Sequence, residues 1–221
     1  MNIKYDSCIL TIVYNGVHDI QEVRFDNDGF CQIISKTNKV LSEFQTVCSP
    51  PYNHQYGVPI SNDGKFIFIG NWEKGLFCYS VYNGNLVWKQ KPGKVRNIIT
   101  TSDMLLVEVC DKGIQKRAVD TGDLISEIKM KNIQFLHAIS ENEIFTGYIK
   151  NKYFIYEIPS LYEKYSISEA VLNPNKCFSF NILKSIKENG NLLIAGWEQY
   201  PNMNYQINGI TNFERTIELK Y

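Results

Sequence analysis

The sequence predicts an all-β fold built from short strands that repeat along the chain. Aromatic residues make up 13% of the 221 residues, and such side chains fit the half-buried surface of a sheet. One apolar run recurs at steps of roughly 40 residues, with one longer step near the end, and propeller repeats have this period. Its copies are FIFIG at 66–70, LLVEV at 105–109, EIFTG at 143–147 and LLIAG at 192–196. A small β-propeller is therefore the predicted fold.

Turn signals separate the strands within each repeat. A second strand follows the apolar run at 75–81 and again at 113–119, and each ends in a glycine-containing turn at 82–85 or 120–123. Asn-Gly and Thr-Gly tolerate the positive φ angles that tight hairpins require. Similar turns are predicted at 26–29 and 61–64, where the sequences are DNDG and SNDG.

The two clearest repeats resemble those of quinoprotein-type propellers. In that family a strand ends in a small apolar residue and Asp or Asn, followed by a Thr-Gly turn and a strand that carries Trp. Residues 118–122 match this pattern, and Trp88 stands at the tryptophan position, where the next repeat has Ser126. The resemblance covers 57–167 and extends to WD-repeat propellers, although no strand ends in Trp-Asp. It implies the fold but no quinone cofactor, which larger rings with an export signal carry.

The whole chain, 1–221, is predicted to form one propeller domain of about five four-stranded blades. A two-sheet β-sandwich is the alternative fold. The long step before Leu192 indicates an insertion, with one helical turn at 168–172. We expect the strand at 7–14 to complete the last blade and close the ring, because open sheet edges invite aggregation. The last blade is assembled from predicted strands at 178–186, 192–197, 205–210 and 215–221.

Charge and composition limit the classes of partner. Lys and Arg total 23, as do Asp and Glu, so the formal net charge is zero, whereas nucleic-acid binders carry a basic excess. We therefore expect neither a nucleic-acid nor a membrane partner. The first apolar run, at 8–14, lacks the features of an export signal. The six cysteines include no CxxC and no zinc-finger spacing, and we expect them to be small buried residues in a reducing cytosol and not a disulfide framework. These observations predict a cytoplasmic protein.

No catalytic or metal-binding motif stands out. The sequence lacks GxSxG, GxxxxGK[ST], GxGxxG and HExxH, and the three histidines have no second ligand at metal-site spacing. His137, in FLHAIS, is predicted to be a core residue with its hydrogen bonds satisfied, and His18 to be solvated. An EF-hand calcium loop around 26–29 would need an acid two residues before the segment and a Glu six residues after Gly29, but these positions hold Arg24 and Ser35. The segment is therefore predicted to be a turn. We therefore predict no enzyme activity, no metal and no cofactor.

Aromatic loops are the predicted binding surface, because binding residues favour loops on rigid scaffolds and Trp and Tyr are enriched at interface centres. Trp72 and Trp197 each follow a matched glycine, so we expect them near equivalent corners of different blades. The alternative is that these aromatics pack between blades. The candidate partner-binding residues are Tyr52, His54, Tyr56, Trp72, Trp197 and Tyr200.

A small, neutral propeller without a catalytic motif resembles, in general style, bacterial immunity proteins that neutralise one toxin domain. This resemblance implies a non-enzymatic protein that binds a cognate toxin domain and occludes its active site. Two other functions are open: a small enzyme or ligand-binding protein that uses the central channel, and a scaffold subunit of a larger complex. The enzyme predicts ionisable side chains converging on the channel mouth.

Overall fold

The computed structural model has an all-β architecture of small antiparallel sheets. Its described residues are 2–6, 9–14, 18–47, 58–101, 103–148, 152–173, 179–201 and 207–219. Within them, five separate sheets hold five, four, four, three and three strands, which confirms the predicted fold class and the number of repeated units. Three of these five sheets do not have the four strands predicted for each blade. The alternative prediction of a two-sheet sandwich is wrong. The described residues contain no helix of the length and apolarity that crossing a membrane requires.

The chain divides into two compact units, Met1–Met130 and Lys131–Tyr221. The first contains the five-stranded sheet, a three-stranded sheet and a four-stranded sheet; the second contains the remaining two. The single domain over 1–221 stays a prediction.

The N-terminal sheet overturns one prediction. Its strands, in spatial order, are β1 (Asn2–Asp6), β2 (Ile9–Val13), β3 (Ile20–Asp26), β4 (Phe30–Ser35) and β5 (Val40–Gln45). Strand β2 pairs with β1 along one edge and with β3 along the other. Because both of its edges are occupied by neighbours in sequence, this strand does not complete the C-terminal sheet, contrary to the expectation for 7–14.

Two further sheets complete the first unit. The second sheet contains β6 (Phe66–Asn71), β7 (Gly75–Ser80) and β8 (Leu86–Gln90), and the third contains β9 (Val95–Thr100), β10 (Met104–Val109), β11 (Gly113–Ala118) and β12 (Leu124–Lys129). An isolated bridge from Ile60 to Ile67 stands where the second sheet would carry a fourth strand. The predicted turns at 82–85 and 120–123 are present, with positive φ at Gly84 and Gly122.

A contact between a turn glycine and an aromatic ring joins successive sheets of this unit in two places. Gly84, in the β7–β8 turn, lies against the ring of Phe44 on β5, and a Cβ at Gly84 would approach that ring to 2.6 Å. Gly122, in the β11–β12 turn, lies against the ring of Trp88 on β8, where a Cβ would approach to 2.7 Å. In both places an aromatic side chain on the last strand of one sheet packs against the glycine turn of the next sheet. The turn position therefore requires glycine for space as well as for its positive φ.

The second unit contains the last two sheets and a short helix. The fourth sheet has β13 (Ile133–Ser140), β14 (Glu143–Tyr148), β15 (Lys152–Glu157) and β16 (Tyr162–Ser168); α1 (Glu169–Leu172) follows; the fifth has β17 (Ser179–Glu188), β18 (Asn191–Pro201) and β19 (Ile207–Glu218). The helical turn predicted at 168–172 is confirmed. An apolar core that includes Phe145, Tyr153 and Ile194 fills this unit.

The fifth sheet differs from its prediction in two ways. The strands predicted at 205–210 and 215–221 are one strand, β19, because no Gly or Pro interrupts the chain between Ile210 and Arg215. Strand β18 continues past 197 to Pro201, because its residues keep pairing with β19 as far as Pro201, which lies opposite Ile207. Among the described residues this sheet therefore has three strands.

Candidate functional site

Trp72 occupies a turn, as predicted. It follows β6, and the turn is held by Asn71, whose Oδ1 accepts hydrogen bonds from the backbone N–H groups of Glu73 and Lys74 at 2.9 and 2.8 Å. The indole is half-buried, and Lys94 Nζ lies 5.2 Å from its ring centroid. Part of the ring is therefore available to a partner, while a cation already covers another part.

Trp197 lies inside β18, opposite Asn212 of β19, and not at a loop corner. The predicted equivalence with the position of Trp72 is therefore wrong. The side chain is half-buried and shares a face of β18 with Leu193 and Ala195, because alternate residues of a strand point to the same side. A small groove of about 220 Å³ on that face is lined by Leu193, Ala195 and Ile186.

The other four predicted residues lie outside the side chains that the structure describes. Tyr52, His54 and Tyr56 lie outside the described residues, and Tyr200 is described only as part of β18, without its side chain. Trp72 belongs to the first compact unit and Trp197 to the second. The six residues stay predicted binding residues.

A larger groove in the first unit was not predicted from the sequence. It has a volume of about 680 Å³ and is formed by three turns: the turn before β6, the β9–β10 turn and the β11–β12 turn, together with the start of β12. We call it the three-turn groove. Its larger apolar side chains lie in these turns or at the strand ends beside them and are Phe66, Met104, Val119 and Ile125, and Ala118 adds a methyl group.

Local hydrogen bonds shape the first of these turns. Gly64 has φ 72°, and its N–H donates to the Ser61 carbonyl oxygen at 2.9 Å. Ser61 Oγ donates to Asp63 Oδ1 at 2.6 Å and accepts from the backbone N–H of Phe66 at 3.0 Å. The hydrogen bond from Ser61, with further contributions from Lys65, lowers the pKa of Asp63 to about 2, so this carboxylate is ionised at neutral pH.

Three exposed carboxylates line the groove: Asp63, Asp103 and Asp120. Its lining contains no lysine or arginine. Asp63 is paired with Lys65, whose Nζ lies 3.0 Å from Oδ2. Within the described parts of the chain, neither Asp103 nor Asp120 forms an ion pair or a side-chain hydrogen bond. The groove therefore combines an apolar floor with an acidic rim.

The sequence contained a signal for this groove. Asp63 and Asp103 occupy corresponding turns of successive repeats, each just before the apolar run that defines the period. Each turn taken alone is an ordinary polar loop. The third acid, Asp120, belongs to the Thr-Gly turn, and the pairing of β10 with β11, in which Met104 lies opposite Ala118, brings it near Asp103. Only the packing of the third sheet against the second adds Asp63 to these two.

Buried ionisable groups elsewhere are held in structural contacts. Glu143 is buried, and its carboxylate lies 2.8 Å from Lys164 Nζ and 2.7 Å from Lys187 Nζ. Burial by itself would raise the pKa of Glu143, but hydrogen bonds from Lys164 and then Lys187 lower it below its ordinary value. This cluster links three strands of the second unit, β14, β16 and β17, by charge.

His137 and Glu108 have strongly shifted pKa values. Burial lowers the pKa of His137 to about 4, and its Nδ1 lies 2.8 Å from Ser185 Oγ. The residue is half-buried, with its ring 5.0 Å from that of Phe135, so the predicted hydrogen-bond partner is present but the position is less deep than a core position. Burial raises the pKa of Glu108 to about 7, with Arg96, 3.3 Å away, acting in the opposite direction. Over the ranges that the structure describes, no three His, Cys, Asp or Glu side chains are grouped as metal ligands.

Comparison with known proteins identifies the fold. No family model matches the chain, and no curated protein is similar in sequence. Among solved structures, BamB from Moraxella catarrhalis is similar with a TM-score of 0.61 at 11% identity, over 98% of this chain and 63% of BamB. The WD40 β-propeller domain of Doa1 has a TM-score of 0.58 at 11% identity, over 88% of this chain and 74% of that one.

The β-propeller domain of Cps50 (Swd1) from Myceliophteria thermophila has a TM-score of 0.64 at 10% identity, over 93% of this chain and 69% of its own. This chain thus spans between 63% and 74% of the length of these three structures. At such low identity the likeness concerns the fold alone. Five small antiparallel sheets and these neighbours together establish that the chain has a β-propeller fold.

Proposed function

We propose that this chain is a non-enzymatic module that binds another protein. The observation that carries this proposal is the three-turn groove, an exposed surface with apolar side chains on its floor and carboxylates on its rim. Binding residues favour turns and loops held by a rigid scaffold. Here three turns from two packed sheets meet, and hydrogen bonds within and between those sheets hold them in place.

The chemistry of the groove supports binding over catalysis. A general acid or base works best when its pKa lies near the working pH. Asp63 is far from that condition, with a pKa of about 2, and the side chain of Glu108, which does titrate near neutrality, is only 3% exposed. Glu108 is nevertheless the observation that favours the enzyme alternative, because shifted pKa values are common at catalytic sites.

The finer proposal is that the partner is a toxin domain in a bacterial cytoplasm, and that binding covers the toxin's active site. It is supported by the general resemblance to immunity proteins and by the neutral charge of the chain. A scaffold subunit of a larger complex is the second candidate for the same binding role. Both require a protein partner, and they differ in whether binding abolishes an activity.

Purification of the tagged chain from its native cells, together with the product of the adjacent gene, tests these proposals. One stoichiometric partner supports the protein-binding role, and loss of that partner's toxicity in the complex supports the immunity role. A stable complex with no loss of activity favours the scaffold. If no protein binds, the protein-binding proposal fails, and a small-molecule screen against wild type and Glu108→Gln becomes the next experiment.

A further inference from the structure

We infer that the three-turn groove receives an extended segment of the partner in which lysine or arginine alternates with apolar side chains. This inference rests on the proposed protein-binding function and adds the chemistry of the bound segment. Two properties of the groove, its apolar floor and its acidic rim, select this occupant. Neither property by itself would do so.

The floor accounts for the apolar side chains of the segment. Ile125 is 48% exposed, and Phe66, Met104 and Val119 are half-buried, so each presents part of an apolar side chain to solvent. Covering this area removes apolar surface from water, which is the main favourable term in protein association. A free metal ion or a small polar ion would leave this surface uncovered.

The rim accounts for the positive charge. Asp103 and Asp120 are exposed carboxylates without an ion pair among the described residues. Asp63 forms an ion pair with Lys65, so its charge is partly neutralised. Opposite charges across an interface steer association and fix the register of the partner. A nucleic acid would bring phosphates against these carboxylates and is therefore disfavoured as an occupant.

The groove wall is held in place before any partner binds. Trp88 Nε1 donates a hydrogen bond to the Val119 carbonyl oxygen at 3.0 Å, and Arg117 Nη1 donates to the Gly122 carbonyl oxygen at 2.6 Å. The first bond ties the turn that carries Asp120 to the second sheet, and the second bond closes that turn within the third sheet. A preorganised site costs less conformational entropy on binding, which favours capture of a flexible segment.

Fluorescence anisotropy with three labelled peptides tests the inference. In the first peptide lysine alternates with leucine; in the second glutamate replaces lysine; in the third serine replaces leucine. We expect only the first to bind measurably, and its affinity to fall between about 50 mM and about 300 mM salt as screening increases. The double variant Asp103→Asn/Asp120→Asn should weaken binding about fivefold or more.

Matched variants separate the groove from general charge effects. Asp19→Asn/Asp28→Asn removes the same charge from exposed positions of the N-terminal sheet and should leave the affinity unchanged. Ile125→Thr keeps a β-branched side chain but makes it polar, and should weaken binding, whereas Val87→Thr, at an outer-strand position that is 44% exposed, should not. Circular dichroism of each variant confirms that it is folded.

The outcomes are distinct. Binding of the lysine–leucine peptide that the groove variants weaken and the control variants leave unchanged supports the inference. Equal binding of the lysine–serine peptide, or equal effects of groove and control variants, overturns it. If the native partner is captured but its affinity does not respond to Asp103→Asn/Asp120→Asn or Ile125→Thr, the groove inference fails while the protein-binding role stands. If no protein is captured, the protein-binding role itself fails.

Discussion

Trp88 and Val119 are joined by a hydrogen bond between sheets: the indole Nε1 on β8 donates to the carbonyl oxygen at the start of the β11–β12 turn, at 3.0 Å. The same indole ring packs against Gly122 of that turn. One side chain therefore satisfies a backbone carbonyl of the next sheet and fills the space that a glycine leaves. Ser126, at the corresponding position of the next repeat, cannot make this contact.

Trp88→Phe should lower the free energy of unfolding by about 1–2 kcal/mol, because the Val119 carbonyl oxygen loses its donor while most of the ring packing remains. Urea denaturation followed by circular dichroism measures the change. Tyr82→Phe, at a side chain that is 62% exposed, serves as the control and should change stability by less than about 0.5 kcal/mol. Equal stability of Trp88→Phe and wild type would contradict a stabilising role for the hydrogen bond.

Gly122→Ala should destabilise the protein by roughly 2–4 kcal/mol, more than Gly190→Ala. Both glycines have positive φ, at 72° and 78°, so each alanine carries the left-handed strain of roughly 1–2 kcal/mol. Only Gly122 adds a clash, because its Cβ would lie 2.7 Å from the Trp88 ring, whereas a Cβ at Gly190 would meet nothing within 4 Å. Equal losses, measured by urea denaturation, would show that the aromatic contact yields to the extra methyl group.

Glu108→Gln should stabilise the protein increasingly as pH rises from 4.5 to about 7. In this window the folded state holds a proton on Glu108 and the unfolded state does not, so wild-type stability falls as pH rises and levels off above the folded pKa of about 7. The variant lacks this loss. The difference between the two proteins should grow by up to about 1.4 kcal/mol for each pH unit. A difference that is constant with pH would contradict the raised pKa.

His137→Asn should reveal the opposite slope. Between pH 6.5 and about 4 the unfolded state protonates this histidine and the folded state does not, so wild-type stability falls as pH falls. The variant should lose less stability than wild type over the same range, while a constant cost from the altered contact with Ser185 applies at every pH. Parallel curves for the two proteins would mean that His137 titrates normally.

Trp72→Ala and Trp197→Ala should each weaken partner binding by about 2 kcal/mol or more if these residues are interface centres. Calorimetry with the captured partner gives the change in affinity, at a temperature at which each variant is folded. Tyr162→Ala, at a side chain that is 71% exposed at the start of β16, is the control. Unchanged affinity in both tryptophan variants would reject these two residues as partner-binding sites.

The sequence predicted features whose cause lies within a few residues. The Asp26–Gly29 turn is an example: Asp26 Oδ1 accepts from the N–H groups of Asp28 and Phe30 at 2.9 and 2.8 Å, and Gly29 has φ 86°. The glycine turns at 84 and 122 are equally local. Because turn chemistry and strand alternation depend on neighbouring residues, the strands of the central repeats and the number of sheets followed from the sequence.

The tertiary structure alone decided which distant residues meet. Strand β2 belongs to the first sheet because both of its edges are paired there. Trp197 lies within β18 because that strand continues to pair with β19 beyond this residue. The three-turn groove brings Asp63 together with Asp103 and Asp120, from turns that are far apart in the chain. Such contacts depend on how whole sheets pack, and the free energy of that packing is shared among many side chains, so no local pattern specifies it.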